Sequence, residues 1–326
     1  MISPTDIFGI SNQKQFEKTA LKIFRYQYEN NKVYREFCNY LKIEVQKVKT
    51  IPQIPFLPIQ FFKSHEVISS STLIEATFTS SGTTGMVTSK HLVTRVSLYE
   101  DSYRNAFSQF YGNVEDYVVL ALLPSYLERE GSSLIYMVDD LIKLSKNSDS
   151  GFYLHNHEDL IKKLIALDND EQNVILIGVT YALLDLIEKQ NFDLKNTIVM
   201  ETGGMKGKRK EMIREELHEQ LCTGFGVSAI HSEYGMTELL SQAYSLGNGV
   251  FECPNWMKIL VRDTEDALTY LENGKTGGIN VIDLANINSC SFIATQDLGR
   301  KYKNNTFEIL GRFDNSDIRG CNLMVI

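Results

Sequence analysis

The chain has 326 residues, of which 43% are hydrophobic and 23% charged, enough apolar material for one large core or two ordinary ones. Its net charge of -8 excludes the broad basic face that nucleic acid or an anionic membrane would require, leaving at most a local basic cluster around a small polyphosphate. The apolar runs Tyr117 to Leu123 and Val174 to Val179 are too short to span a bilayer, and the opening "MISPTDIFGISNQKQF" lacks the apolar core of a signal peptide. The sequence therefore reads as a cytoplasmic protein with no membrane span.

From residue 5 to about 48 the pattern is helical, with Phe16, Ala20, Ile23, Phe24 and Tyr28 recurring at three- and four-residue steps. Three prolines between Ile51 and Ser64 predict an extended, irregular segment. Onwards to about 235, the short apolar runs "DYVVLALLP", "NVILIGV" and "NTIVMETGG" alternate with helical stretches near 95–110, 132–146, 157–168, 180–190 and 207–221. That alternation predicts an α/β layered fold with a largely parallel sheet. After about 250, short strands dominate and helical runs nearly vanish, which predicts a small antiparallel sheet or barrel appended to the first region. Repeats, low-complexity stretches and flexible linkers are not evident.

Five cysteines, Cys38, Cys222, Cys253, Cys290 and Cys321, are widely spaced without a C-x-x-C pair, so neither a disulfide framework nor a zinc site is indicated. The first four read as small buried core residues. Cys321, between Arg319-Gly320 and an apolar tail, fits that reading least well.

The strongest local signal is Thr79 to Gly85, seven consecutive Ser, Thr or Gly residues after an expected strand. Hydroxyls and glycine amides in a turn make a concave set of donors suited to phosphate oxygens, although the same residues also build ordinary polar turns. Lys90 and His91 follow within reach of the same anion, and no Walker loop pattern occurs. Further along, "ETGGMKGKRK" ends an expected strand and opens a basic helix. "HSEYGMTELLSQAYS" puts Tyr234, Gly235, Thr237 and Glu238 in one turn, "TQDLG" follows a strand, and "GRFDNSD" follows the last one. "GFGVSA" lacks the helix a dinucleotide site needs, and "HNHED" reads as a helix start capped by Asn156 rather than a metal cluster. His231 reads as a core histidine.

Taken in order over residues 75 to 320, these motifs resemble those of the adenylate-forming superfamily of acyl-CoA synthetases and firefly-type luciferases. The resemblance implies that Ser80, Ser81, Gly82, Thr83, Thr84 and Gly85 hold the β- and γ-phosphates of ATP. It further implies that Gly203 and Gly204 approach adenine, that Tyr234, followed by Gly235, carries its other face, and that Thr237 bonds the α-phosphate. Glu238 would bind Mg2+, a hard cation suited to carboxylate and phosphate oxygens. Asp297 would accept both ribose hydroxyls, and Arg312 would lie over the nucleotide as a permanent cation. The implied fold is the layered αβαβα core of that superfamily's large domain. It would occupy 1–326 as one domain: a helical and irregular part to 75, an α/β nucleotide-binding core over 76–249, and a β-rich part over 250–326.

The sequence departs from the superfamily pattern in three places. The chain ends fourteen residues after Arg312, where a lid domain with a catalytic lysine would otherwise begin, so a lidless form is expected. "LPSYLEREGSS" stands where a P-x-x-H-G element would carry a histidine, and the lysine behind the phosphate loop falls at Lys90, two positions late. Charge stabilisation would then come from Lys90, Lys206, Arg300, Lys301 or Arg312. With these departures the whole chain resembles LuxE-type acyl-protein synthetases, on "FLPIQFFKS", "SSGTTG", "LPSYLEREGSSL", "HSEYGMTELLSQAY" and "LGRFDNSDIRGCNLM". That branch implies a fatty acid substrate, transfer of the acyl group from its adenylate to Cys321, and a reductase or acyltransferase partner. Two alternatives stay open: a lidless acid:CoA ligase, and a nucleotide- or acyl-adenylate-binding module without catalysis.

Overall fold

The computed structural model describes residues 2–69, 72–80, 87–124, 131–154, 156–203, 209 and 212–312. The N-terminal part is helical, with α1 (Pro4–Phe8), α2 (Gln13–Asn30) and α3 (Lys32–Tyr40). Helicity stops earlier than the sequence pattern suggests, because Lys42 turns the chain at φ 56°. After β1 (Leu57–Pro58) and one turn of helix, α4 (Phe61–Ser64), a hairpin of β2 (Ala76–Thr79) and β3 (Lys90–Val93) brackets the Ser/Thr/Gly loop.

The middle of the chain alternates as its apolar pattern demands: α5 (Val96–Tyr111), β4 (Val118–Leu122), α6 (Ser133–Ser145), β5 (Gly151–Phe152), α7 (His157–Asn169), β6 (Val174–Val179), α8 (Thr180–Lys189), β7 (Thr197–Thr202) and α9 (Arg214–Phe225). Strands β4 and β6 are buried along their whole length, so helices must cover both faces of the sheet. Val119, Ile175 and Ile177 meet Phe107, Met137, Val138 and Leu141 of α5 and α6 across an apolar seam. Leu122 and Gly178 point the other way, where a Cβ on Gly178 would lie 2.8 Å from Leu183 of α8. Helix α9 begins at Arg214, seven residues later than the basic-helix reading placed it.

The C-terminal strands are β8 (His231–Tyr234), β9 (Ala243–Ser245), β10 (Val250–Glu252), β11 (Met257–Arg262), β12 (Thr276–Asp283), β13 (Phe292–Lys301) and β14 (Phe307–Arg312). The antiparallel part is present, and it is joined edge to edge with the parallel part. Among the described residues one twelve-stranded sheet runs β11-β12-β13-β14-β10-β9-β8-β7-β6-β4-β5, with β1 beside β13. Pairing is parallel from β5 to β8 and antiparallel from β8 to β11, so the chain reverses direction in the segment between β8 and β9.

That reversing segment is held by buried polar groups. The Asp283 carboxylate, fully buried, accepts from Leu240 N at 2.7 Å, Ser241 N at 3.0 Å and Ser241 Oγ at 2.6 Å. On the far side, Gln27 of α2 donates to the carbonyls of Asn286 at 3.0 Å and Ile287 at 2.9 Å, and Asn31 donates to Ser289 O at 3.0 Å. The N-terminal helices thus anchor the loop after Asp283 as well as packing Phe24 and Tyr34 against Phe292. Asp283→Ala would take the acceptor from four donors, the amides of Leu240, Ser241 and Ala285 and the Ser241 hydroxyl, and should lower unfolding free energy by about 3 kcal/mol. A smaller urea-midpoint shift than an ordinary surface substitution gives would contradict this.

Candidate active site

The turn after β8 carries the motif residues. Tyr234 ends the strand, and Leu239 N donates to Met236 O at 3.1 Å to close the turn at Thr237-Glu238. A Cβ on Gly235 would come within 2.4 Å of Glu233 Oε1, so a larger residue there would displace the Glu233 carboxylate.

Asp297 lies inside β13, opposite Arg312 of β14, rather than after a strand. Its carboxylate is 5% exposed and accepts from Tyr234 Oη at 2.8 Å and Arg312 Nε at 3.1 Å. Burial pushes the Asp297 carboxyl up, while the Arg312 charge and the Tyr234 hydroxyl pull it back. The Tyr234 ring is buried against Phe251 and Phe307 with centroids 6.0 and 5.7 Å away. These contacts bring together three residues that the sequence placed on one nucleotide.

Glu238 is 6% exposed, and burial raises its carboxyl. The Ser89 hydroxyl and the charges of Arg312 and Lys63 act in the opposite direction. A carboxylate oxygen is the ligand type that a hard cation takes. Among the described residues no group of three or more His, Cys, Asp or Glu forms a cage, so phosphate oxygens would have to supply further ligands.

Ser80 and Ser89 pinch the neck of the hairpin loop. Ser80 N donates to Ser89 O at 3.1 Å, and Ser89 N donates to Ser80 Oγ at 2.9 Å. The Ser80 side chain therefore secures the loop's base. Lys90 is exposed at the start of β3, between the buried Ser89 and His91. Of the other cations weighed for charge stabilisation, Arg300 donates to Thr276 at 3.3 Å and Lys301 sits beside Cys253 and Lys258. Arg312 is the one of these that touches a motif carboxylate among the described residues.

Gly203 follows β7 at φ 75°, a conformation that favours glycine. Just before it, Glu201 receives Arg214 Nη1 at 2.5 Å and the Thr180 hydroxyl at 3.0 Å, and His218 Nε2 lies 3.7 Å away. Burial alone would raise the Glu201 carboxyl, but His218, Arg214 and Ser232 outweigh it and bring it to about 2. This cluster fixes the start of α9 beneath the glycine turn.

Cys38 and Cys290 are buried, whereas Cys222 and Cys253 are only partly so and pack against the edge of the core. Asn156 does not cap α7 with its side chain, which donates to Asp159 instead. His231 is half-buried, 3.2 Å from the Tyr111 hydroxyl. Ser81, Gly82, Thr83, Thr84, Gly85, Gly204, Lys206 and Cys321 lie outside the described residues. Sequence reasoning missed Ser89, Lys63 and Asn286. No helix among the described residues is long and apolar enough to cross a membrane.

The fold is that of adenylate-forming ligases. The chain is similar to ATP-bound MatB from Rhodopseudomonas palustris, with a TM-score of 0.56, 16% identity, and coverage of 74% of this chain and 49% of MatB. It thus spans about half the length of MatB. It is also similar to 2-hydroxyisobutyryl-CoA ligase in an open conformation with 2-HIB-AMP and CoA, with a TM-score of 0.68, 12% identity, and coverage of 96% of this chain and 78% of that one.

The family profile described as "Acyl-protein synthetase, LuxE" matches residues 3–326, and the chain belongs to that family of ligases. A long-chain-fatty-acid--luciferin-component ligase of Vibrio harveyi is 24% identical over 340 residues, 97% of this chain and 89% of the relative. Its namesake in Photorhabdus luminescens is 35% identical over 75 residues, 23% of this chain and 64% of that protein.

Because the folded-state carboxyl of Glu201 is depressed from 4.5 to about 2, its stabilisation is complete above pH 4.5 and lost as pH falls towards 2. Glu201→Gln should remove about 3 kcal/mol at neutral pH and flatten the acid limb of the stability curve. Urea titrations at stepped pH measure this; an unchanged acid limb would refute it.

Proposed function

We propose that the protein activates a fatty acid with ATP as its acyl-adenylate, accepts the acyl group on Cys321, and passes it to a partner such as an acyl reductase or acyltransferase. The observation that carries the reading is Asp297 held between Tyr234 and Arg312, adjoining the Thr237-Glu238 turn, in a chain of the acyl-protein synthetase family.

A carboxylate is a poor electrophile, and adenylation cures this. A substrate carboxylate oxygen attacks the α-phosphorus, the bond to the pyrophosphate oxygen breaks, and an acyl-phosphate anhydride results. The protein's share is positioning and charge neutralisation. Thr237 donates to the α-phosphate, Asp297 takes the ribose hydroxyls in exchange for its present partners, and Gly203 and Gly204 flank adenine. The Ser80 to Gly85 loop cradles the β- and γ-phosphates. Glu238 would hold Mg2+, which supplies Lewis-acid neutralisation of phosphate charge. Lys90 and Arg312 add fixed positive charge.

In the second step the Cys321 thiolate attacks the acyl carbonyl and AMP leaves, giving a thioester. A free thiol is only a few per cent ionised at neutral pH, and the neighbouring Arg319 favours the thiolate. Cys321 stands nine residues beyond Arg312, which ends the strand beside Asp297, so the tether can span at most about 30 Å. That suffices to keep the nucleophile near the nucleotide and make its attack intramolecular.

Incubation with ATP, Mg2+ and straight-chain fatty acids should yield a hydroxylamine-labile acyl adduct by intact mass, lost in Cys321→Ala. An adduct that survives in that variant sinks the acceptor assignment. Pyrophosphate release with product only on added coenzyme A would instead identify a CoA ligase, and ATP binding without release would identify a binding module. Asp297→Asn should raise KM for ATP about tenfold or more, the scale of a lost charged hydrogen bond. An unchanged KM would remove Asp297 from the ribose site.

A further inference from the structure

The hairpin that carries the phosphate loop and the turn that carries Thr237 and Glu238 are far apart in sequence, and two buried side chains connect them. His91 on β3 is 0% exposed, with Nδ1 2.8 Å from the Thr237 carbonyl and Nε2 3.0 Å from Asn286 Oδ1. Asn286, equally buried, donates through Nδ2 to the Glu238 carbonyl at 2.8 Å. Burial disfavours the imidazolium, so the neutral His91 ring gives its single N–H to the Thr237 carbonyl and its Nε2 edge packs against Asn286; two consecutive carbonyls are thus gripped by two adjacent side chains.

We propose that His91 and Asn286 form a bracket that sets the positions of the Thr237 and Glu238 side chains relative to the Ser80–Ser89 base of the hairpin. His91 is accordingly a positioning residue for adenylation, and the inference rests on the function proposed above. Three features separate this from ordinary core packing. Ser89, just before β3, and His91 on it are both buried, so the hairpin meets the turn twice, at the Glu238 carboxyl and at the Thr237 carbonyl. Ser89 also closes the base of the hairpin with Ser80, so a shift of β3 would move that base and the turn together. Phe62 of α4 packs edge-on against the His91 ring at 5.7 Å, leaving the imidazole little room to rotate out of the bracket.

With the turn's carbonyls fixed from one side and its amides fixed by Asp283 from the other, the backbone at 237–241 has no freedom to drift. Its side chains then point where the peptide planes dictate. Placement at this level matters because a phosphate donor or metal carboxylate displaced by 1 Å can cost about a hundredfold in rate.

The test compares wild type with His91→Leu, His91→Gln and Asn286→Ala. Calorimetry measures ATP affinity with Mg2+ and with a chelator, and pyrophosphate release is measured with the fatty acid that wild type activates. The bracket predicts that His91→Leu and Asn286→Ala lose about tenfold of the Mg2+-dependent gain in ATP affinity and keep metal-free affinity. It further predicts that kcat falls while KM for the acid holds, and that His91→Gln, which retains a donor for the Thr237 carbonyl, recovers part of both. A folded His91→Leu protein with wild-type Mg2+ linkage and kcat overturns the proposal. Should that variant fail to fold, Asn286→Ala and His91→Gln decide by the same criteria. A wild-type protein that binds Mg2+-ATP but releases no pyrophosphate defeats the adenylation reading alone, since the calorimetric arm still judges the bracket.

Discussion

Backbone groups removed from water must find partners, and the peptide between Thr237 and Ser241 satisfies this in an uncommon way. Its carbonyls go to His91 and Asn286, and its amides go to Asp283. Neither helix nor sheet supplies those bonds, because this is where the sheet changes from parallel to antiparallel pairing. Side chains from distant segments do the work of a ladder. The turn is therefore irregular in conformation but tightly specified in position, which is what a site built on a chain reversal needs.

This constraint explains the role of the N-terminal helices. Gln27 and Asn31 bind the loop that follows Asp283, and Ser291 N donates back to Gln27 Oε1 at 3.0 Å. Asn286 could not hold Glu238 if its own backbone were unsupported. The helices stand as an outer brace, one step removed from the carboxylate they steady. Buried networks of this kind stabilise only when every member is satisfied, so a single break spreads beyond its own bond.

Much of this was legible in the sequence. Helices α5 to α8 and strands β4, β6 and β7 fall within a residue or two of the periodic pattern, because each buries a face whose spacing is local. The order of the motifs identified the family and the residues that converge, as Tyr234, Asp297 and Arg312 do. What escaped notice was long-range and polar. His91 meets a residue 146 positions away and Asn286 a residue 48 positions away, and no local pattern announces such pairs. A clue did exist at Gln27, which sits four residues after Ile23 in the apolar register of α2. A polar residue on a buried stripe implies a buried partner. Helix α9 starts at Arg214, later than the basic run suggests, because the Arg214 contact with Glu201 is a long-range pairing that helix propensity does not report.

Tyr234 and Arg312 occupy the Asp297 carboxylate in the protein by itself, and this bears on selectivity. A ribose that replaces them exchanges hydrogen bonds for hydrogen bonds, with little net gain in free energy. The benefit lies in discrimination. A sugar lacking one hydroxyl would take the carboxylate's partners away and return fewer, leaving a buried charge short of a donor. Sites that penalise a missing group in this way reject analogues far more strongly than apolar pockets reject a missing methylene. On the proposed reading, the self-paired acid acts as a gatekeeper for the vicinal diol, admitting the ligand able to restore all that it displaces.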